Sequence, residues 1–418
     1  MFLFSLTACG GGGSSEAKPR PTPPTSGCNE ALEFCGEIPS SADPCGDNDF
    51  WPLSAASSSR PLLVHFPQQA NESKALEMLT LLEESWQIQV DELGFSAPAS
   101  DAGACGPDGK FDVFIWPGID GAFVSSIRRN PLTDHQDYST YMAFDPSGIS
   151  GGAFLNSFMA HELNHALQAS DDWTESGQHY EAGATFAESI VYPDDDDWYF
   201  EMEDFQANPQ WSLFFEDFGA TWYTYAAAMY LHYLHERHYP GDPGFYARIW
   251  RGTRKAAPEE RPDYIDALRV LLLNERGLTL DETVLEFMQW RWFVDEFDDG
   301  AHYARGAQWP YTVAFSDIDI AALPAVESLS AMVYGANYFR VTNSGASTAS
   351  FTTTIVSSGS AVTWQLIDAV TGSINAPVML EPSDSIVLIA VALPSGEVWT
   401  GDITFDLNTA DLMLDPTP

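Results

Sequence analysis

The run Ala160-His161-Glu162-Leu163-Asn164-His165-Ala166-Leu167 sets two imidazoles four residues apart, with a carboxylate beside the first. On a helix, residues at i and i+4 share one face, close enough to grip a single metal ion. Glu162 would lie next to that grip, within reach of a water held by the metal. The competing reading is an amphipathic helix burying two hydrogen-bonded core histidines. Ionisable groups are seldom buried idle in such a pattern, so the metal reading is preferred. The element that must carry it is legible too. Phe154, Leu155, Phe158, Leu163, Ala166 and Leu167 recur at helical spacing, and no Pro or Gly interrupts 153–170.

A catalytic zinc needs a third protein ligand and leaves one position for water. Asp171 lies six residues past the second histidine, but the sharp turn needed to bring it back requires a Gly midway, and Gln168 stands there. His179 falls in 173–179, which reads as a connector without fixed geometry. Glu181 opens Glu181-Ala182-Gly183-Ala184-Thr185-Phe186-Ala187-Glu188-Ser189-Ile190, a second helical stretch rich in small residues. Ala184 and Ala187 keep one flank of that helix thin, so that two helices can approach closely enough to share an ion. At the helix N-terminus the Glu181 carboxylate would also sit well in the dipole field. Glu181 is therefore the expected third ligand. Glu188, two turns on, is the second choice; it would otherwise orient a ligand histidine or remain a solvated charge.

With these residues in hand, the chain resembles the gluzincin class of zinc metallopeptidases, in which HExxH on one helix is completed by a Glu on the next. The stretch from His161 to His165, then Trp173, then Glu181 to Glu188 is similar to a group of secreted bacterial metalloprotease-like proteins. Those read HExxHxxQ, then W, then EGxAxWxE. The likeness is close over the two helices and loose over residues 60–300. Ala182-Gly183 departs slightly from the group's pattern, and Thr185 stands where the best-known gluzincins carry an Asp that supports the site. The resemblance implies peptide-bond hydrolysis; the residues by themselves imply metal-assisted hydrolysis.

The chemistry expected of that set follows from charge. Two neutral imidazoles and one carboxylate leave a Zn2+ site net positive, which lowers the pKa of bound water towards about 7. Glu162 would act as general base and then pass the proton to the leaving amine. A second electrophile for the oxyanion is open: Tyr223 or Tyr225 could supply a phenol, although tyrosines at that spacing are more often core packing. His232, His235 and His238 fall near the end of the helical 222–237 segment, where imidazoles suit the helix dipole.

Residues 2–9 form a short apolar run ending Leu6-Thr7-Ala8-Cys9, which resembles a bacterial lipoprotein processing box without the usual basic residues ahead of it. Cleavage before Cys9 would leave a lipidated N-terminus, and Gly10 is compatible with outer-membrane sorting. Residues 10–59 read as a flexible Cys-containing tether, its first part, 10–27, being rich in Gly, Ser and Pro. No internal stretch is apolar for long enough to span a bilayer. Four further cysteines, Cys28, Cys35, Cys45 and Cys105, suggest two disulfides in an exported protein, with pairing open and a local Cys28–Cys35 bond plausible. The expected location is the bacterial cell envelope or the extracellular medium.

Eighteen basic against 60 acidic residues give a net charge of −42, which excludes general nucleic-acid binding by phosphate repulsion. The acidic runs 194–197 and Asp298-Asp299 offer weak Ca2+ candidates, but neither has an ordered calcium-loop spacing; solvated acidic loops fit them better.

The expected fold class is an α+β zincin-like catalytic domain over 60–310, then an antiparallel β-sandwich over 325–418. Strands are expected at 60–66, 110–116 and 140–144, and helices at 74–93, 264–273 and 282–294. Five β-rich runs (337–342, 350–356, 361–367, 385–391 and 401–407) make up the sandwich, which has neither His nor Cys. The functional expectation is a zinc metallopeptidase acting on a peptide or protein. The alternative is a surface-exposed binding lipoprotein with a structural or vestigial metal site.

Overall fold

The computed structural model describes residues 33–119, 121–145, 153–195, 197–217, 219–357, 359 and 361–417. The expected processing box, the glycine-rich 10–27 part of the tether, Cys28 and the glycine pair before the HExxH helix lie outside them. Residues 33–59 of the expected tether are instead folded: Ile38 and Trp51 are buried in an apolar cluster, Cys45 is disulfide-bonded and Leu53–Ala56 pairs into a sheet. The chain folds into two compact units. One takes the described part of Met1–Glu175 with Ala187–Asp197 and Gly244–Pro262; the other takes Ser176–Phe186, Trp198–Pro243 and Asp263–Pro418.

The first unit is built on a five-stranded sheet in the order β1-β2-β3-β5-β4. Its strands are β1 (Leu53–Ala56), β2 (Leu62–Phe66), β3 (Phe111–Ile115), β4 (Ala122–Arg129) and β5 (Tyr138–Phe144). β2, β3 and β5 run parallel, and β1 and β4 pair antiparallel at the two edges. Every residue of β2 and β3 is buried, as expected of central strands covered on both faces. Helices α1 (Glu72–Trp86) and α2 (Ala153–Ala169) pack against each other and against the sheet. Trp51, Cys105, Phe114, Trp116 and Ala143 form a separate apolar cluster with Ile38. Strand β4 shows no clear alternation in sequence because Ser125, Ser126, Arg128 and Arg129 make its second half mostly polar and partly exposed.

The second unit carries α4 (Met202–Ala207), α5 (Tyr223–Ala226), α6 (Ala228–Tyr233), α8 (Tyr264–Arg276) and α9 (Leu280–Trp290), whereas α7 (Phe245–Gly252) belongs to the first. The helix between α2 and α4, α3 (Gly177–Val191), contributes residues to both units. The starts of α8 and α9 follow from local chemistry. Asp263 with Asp266, and Thr279 with Glu282, form reciprocal capping boxes, and Gly277 ends α8 in the left-handed region at φ 70°.

Two four-stranded sheets complete this unit, ordered β10-β12-β8-β6 and β11-β9-β13-β7. They comprise β6 (Ser316–Asp319), β7 (Ala325–Ala331), β8 (Ala336–Thr342), β9 (Ala349–Ser357), β10 (Val362–Asp368), β11 (Val378–Leu380), β12 (Ser385–Pro394) and β13 (Asn408–Pro416). Leu329, Phe339, Val341, Phe351, Leu388, Leu412 and Leu414 come from both sheets and share one apolar cluster, giving a sandwich-like core. The chain is thus α+β with several sheets. Within these two sheets pairing is antiparallel except between β6 and β8, which run parallel. The strand expected at 401–407 is absent: the Trp399 N–H donates to Asp402 at 3.0 Å and closes a tight turn, while Phe405 and Leu407 stay exposed. The last strand begins at Asn408 instead.

Among the described residues no helix is long and apolar enough to cross a membrane. Cys45 and Cys105 form a disulfide across 60 residues of sequence, and Cys35 is disulfide-bonded as well. Closing a loop of that size restricts the unfolded chain. Replacing Cys45 and Cys105 together by Ser is expected to cost about 2–4 kcal/mol, read as a lower urea midpoint with an unchanged α+β circular-dichroism spectrum.

Candidate metal centre

Helix α2 is buried on nearly every side. Leu155, Met159, Ala160, Leu163, Ala166 and Leu167 are buried, and so are the polar residues His161, Glu162, Asn164, His165 and Gln168. Buried polar groups persist only where hydrogen bonds satisfy them.

His161 Nδ1 lies 3.0 Å from Glu188 Oε2, with both side chains buried. A carboxylate accepts, so the ring donates from Nδ1 and presents Nε2 on its far side. His165 Nδ1 lies 2.9 Å from Gln168 Oε1 one turn along α2. The two rings meet edge to face, 4.7 Å between centroids. From α3, half-buried Glu181 joins them: each of His161, His165 and Glu181 offers a ligand atom within 4.8 Å of the others. Two imidazoles with anchored Nδ1 atoms and one carboxylate make a donor set suited to a borderline cation such as Zn2+. Among the described residues no other His, Cys or acidic cluster gathers in this way. Asp299 instead accepts from the Ala301 N–H and the His302 ring, each at 2.9 Å, closing a local turn.

The remaining sequence candidates sit elsewhere. Asp171 is fully buried and accepts from Arg254 Nε at 2.9 Å and from Ser96 Oγ at 2.9 Å, so it is committed to an ion pair. Burial pushes its pKa up, against the pull of Arg254. Next to it, the buried Lys255 ammonium bonds Asp172 and, at 2.6 Å, Glu175. Burial alone would lower that ammonium; Glu175 and Asp172 outweigh it and raise the pKa, keeping the charge. These two cations fasten the turn between α2 and α3.

His179 is not in a connector. It lies within α3, which starts at Gly177, and its ring stacks on Tyr264 at 4.2 Å with Nε2 3.1 Å from Thr400 Oγ1. Glu216 accepts from the Gly177 N–H at 3.2 Å, satisfying a first-turn donor and extending the helix upstream of Glu181. Glu181 therefore occupies the second turn rather than the first, where the dipole field is weaker.

Tyr223 is fully buried and donates towards the backbone carbonyls of Trp211 and Ser212, both at 3.0 Å, so its phenol is engaged in the core. Tyr225 is buried with its ring edge-on to Trp222. His232 stacks on Trp198, and desolvation lowers its pKa to about 3; it is neutral and gains nothing from a helix dipole. His238 instead lies 2.9 Å from Glu286.

Sequence reasoning named both imidazoles, Glu162, Glu181 and Glu188. It passed over Gln168 as a partner, although a polar residue three positions after His165 on the same helix was a usable signal. No protein-family model matches the chain, and no curated protein matches it.

Glu286 yields a pH dependence. Burial raises its pKa, but hydrogen bonds from His238, Arg237 and Tyr233 outweigh that and hold it down to about 2, from an ordinary 4.5. A depressed carboxylate stabilises the fold fully above its unfolded pKa and loses that contribution as pH falls through the folded one. Glu286→Gln is expected to lower stability by about 1 kcal/mol at pH 6, discounted for partial exposure. That deficit should shrink between pH 4.5 and 2, as followed by urea unfolding across the range.

Proposed function

We propose that this chain is a metal-dependent peptidase with a zincin-like catalytic unit, using Zn2+ held by His161, His165 and Glu181. The observation that carries the reading is the convergence of those three ligand atoms to within 4.8 Å, with His161 fixed from behind by Glu188. A bound zinc would supply Lewis acidity and bring a water's pKa near neutrality.

The chain's own residues do the rest. His161 and His165 stay neutral and keep their rings oriented through Nδ1. Glu181 brings the one negative charge of the ligand set, leaving the site net positive. Glu162, buried beside His161 on α2, accepts the proton released as water attacks a carbonyl and hands it to the departing amine. Support for a peptide as substrate comes from β4, an edge strand beside β5 whose outer side bears no further strand among the described residues. An extended chain can pair with such an edge through backbone hydrogen bonds. The Cys45–Cys105 bond supports an oxidising, exported setting, and the proposal includes attachment to the cell envelope through Cys9.

The test is metal analysis of the purified protein together with cleavage of a mixed peptide library. One equivalent of zinc, and cleavage abolished by chelator and restored by Zn2+, is the expected result. Glu162→Gln should retain the metal and lose cleavage by about a hundredfold or more. If native protein and Glu162→Gln bind zinc alike and neither cleaves, the group is a structural site and the binding-lipoprotein reading replaces this one. Separately, Glu188→Ala should weaken zinc binding by about 10–100-fold in chelator competition.

A further inference from the structure

One side of α2 carries a continuous line of amide and phenol groups that ends on His165. Gln89 Nε2 donates to the Ala160 backbone carbonyl at 2.9 Å. Asn164 Nδ2 donates to Gln89 Oε1 at 2.8 Å, and the Tyr246 hydroxyl donates to Asn164 Oδ1 at 3.1 Å. Gln168 Nε2 donates to the Tyr246 oxygen at 2.7 Å, and Gln168 Oε1 faces His165 Nδ1 at 2.9 Å. Gln89, Asn164, Tyr246 and Gln168 are all fully buried.

The direction of this line is not arbitrary. Amides can flip and a phenol can turn, so each inner link could point either way. A backbone carbonyl can only accept. The Ala160 carbonyl therefore orients Gln89, which orients Asn164, which orients the Tyr246 proton, which orients Gln168. At the end stands an acceptor, and only a protonated Nδ1 satisfies it. Reversing any link would oppose two acceptors or two donors in a buried setting.

We infer that Gln89, Asn164, Tyr246 and Gln168 are positioning residues that fix His165 as its Nδ1–H tautomer, with Nε2 basic. The inference rests on the proposed metal site for its purpose, though not for its geometry. It also separates the two histidines: a carboxylate steadies His161, and a neutral relay anchored on main chain steadies His165. A second carboxylate there would reduce the net positive charge of the ligand set, which a neutral amide avoids.

The test uses the full chain, metal-free and zinc-loaded. Nitrogen NMR of 15N-histidine protein, assigned with His165→Gln, reads the His165 tautomer without metal; competition with a chromophoric chelator reads zinc affinity. Native protein should show a single Nδ1–H tautomer. Tyr246→Phe, which cuts the relay in the middle, should give mixed tautomers and about tenfold weaker zinc binding. Tyr230→Phe removes another buried hydroxyl, 2.7 Å from Thr283, and should change neither readout. Gln168→Glu keeps an acceptor on His165 and should preserve the tautomer, whereas Gln168→Leu should not; this pair decides the matter if Tyr246→Phe does not fold. A single Nδ1–H tautomer in both Tyr246→Phe and Gln168→Leu would overturn the relay. Failure of native protein to bind zinc would overturn the metal site alone, because the metal-free tautomer still reads the relay.

Discussion

Two imidazoles one helical turn apart can address the same point only if each ring is held from its other nitrogen. That constraint organises the middle of this chain. An unheld imidazole rotates and exchanges its proton between two positions, whereas a ring tied at Nδ1 has one orientation and one basic atom. Here Glu188 ties His161 and Gln168 ties His165. Both ties lie in the interior, so α2 has to be buried almost all round. Its polar face then needs partners from far along the chain, which Gln89 and Tyr246 provide. The small residues of α3 fit the same demand: Ala182, Ala184 and Ala187 are buried.

How much of this could be read from residues alone depends on distance along the chain. The histidine pair, its helix and the neighbouring helix were legible because both patterns repeat within a few turns. The helices Tyr264–Arg276 and Leu280–Trp290 were legible for the same reason, and their Asp263 and Thr279 caps sit directly ahead of them. The start of α3 was not. It depends on Glu216, whose carboxylate meets the Gly177 N–H across 39 positions. The same holds for Gln89 and Tyr246, whose roles depend on partners more than seventy positions away. Residues 401–407 failed in the opposite way. Ile403, Phe405 and Leu407 alternate as a strand would, but Asp402 bends the chain just before them, and Phe405 and Leu407 stay exposed. Alternation proposes a face; only packing supplies something to cover it.

The composition adds a further constraint. In a chain with 60 acidic and 18 basic residues, each cation has many carboxylates to choose from. Arg254 and Lys255 are nevertheless placed side by side against Asp171, Asp172 and Glu175, in pairs that are largely shielded from solvent. Surface pairs of the same kind contribute little, whereas removing one partner of a buried pair leaves an uncompensated charge.

The short link joining α2 to α3 is therefore not self-supporting. Its carboxylates are neutralised by a segment some eighty positions downstream. Anyone grafting the histidine helix and its neighbour onto a foreign scaffold would have to carry Arg254 and Lys255 along, since the excised pair alone would bring three buried anions and no counterion. The portable module is discontinuous in sequence, although it is compact in space.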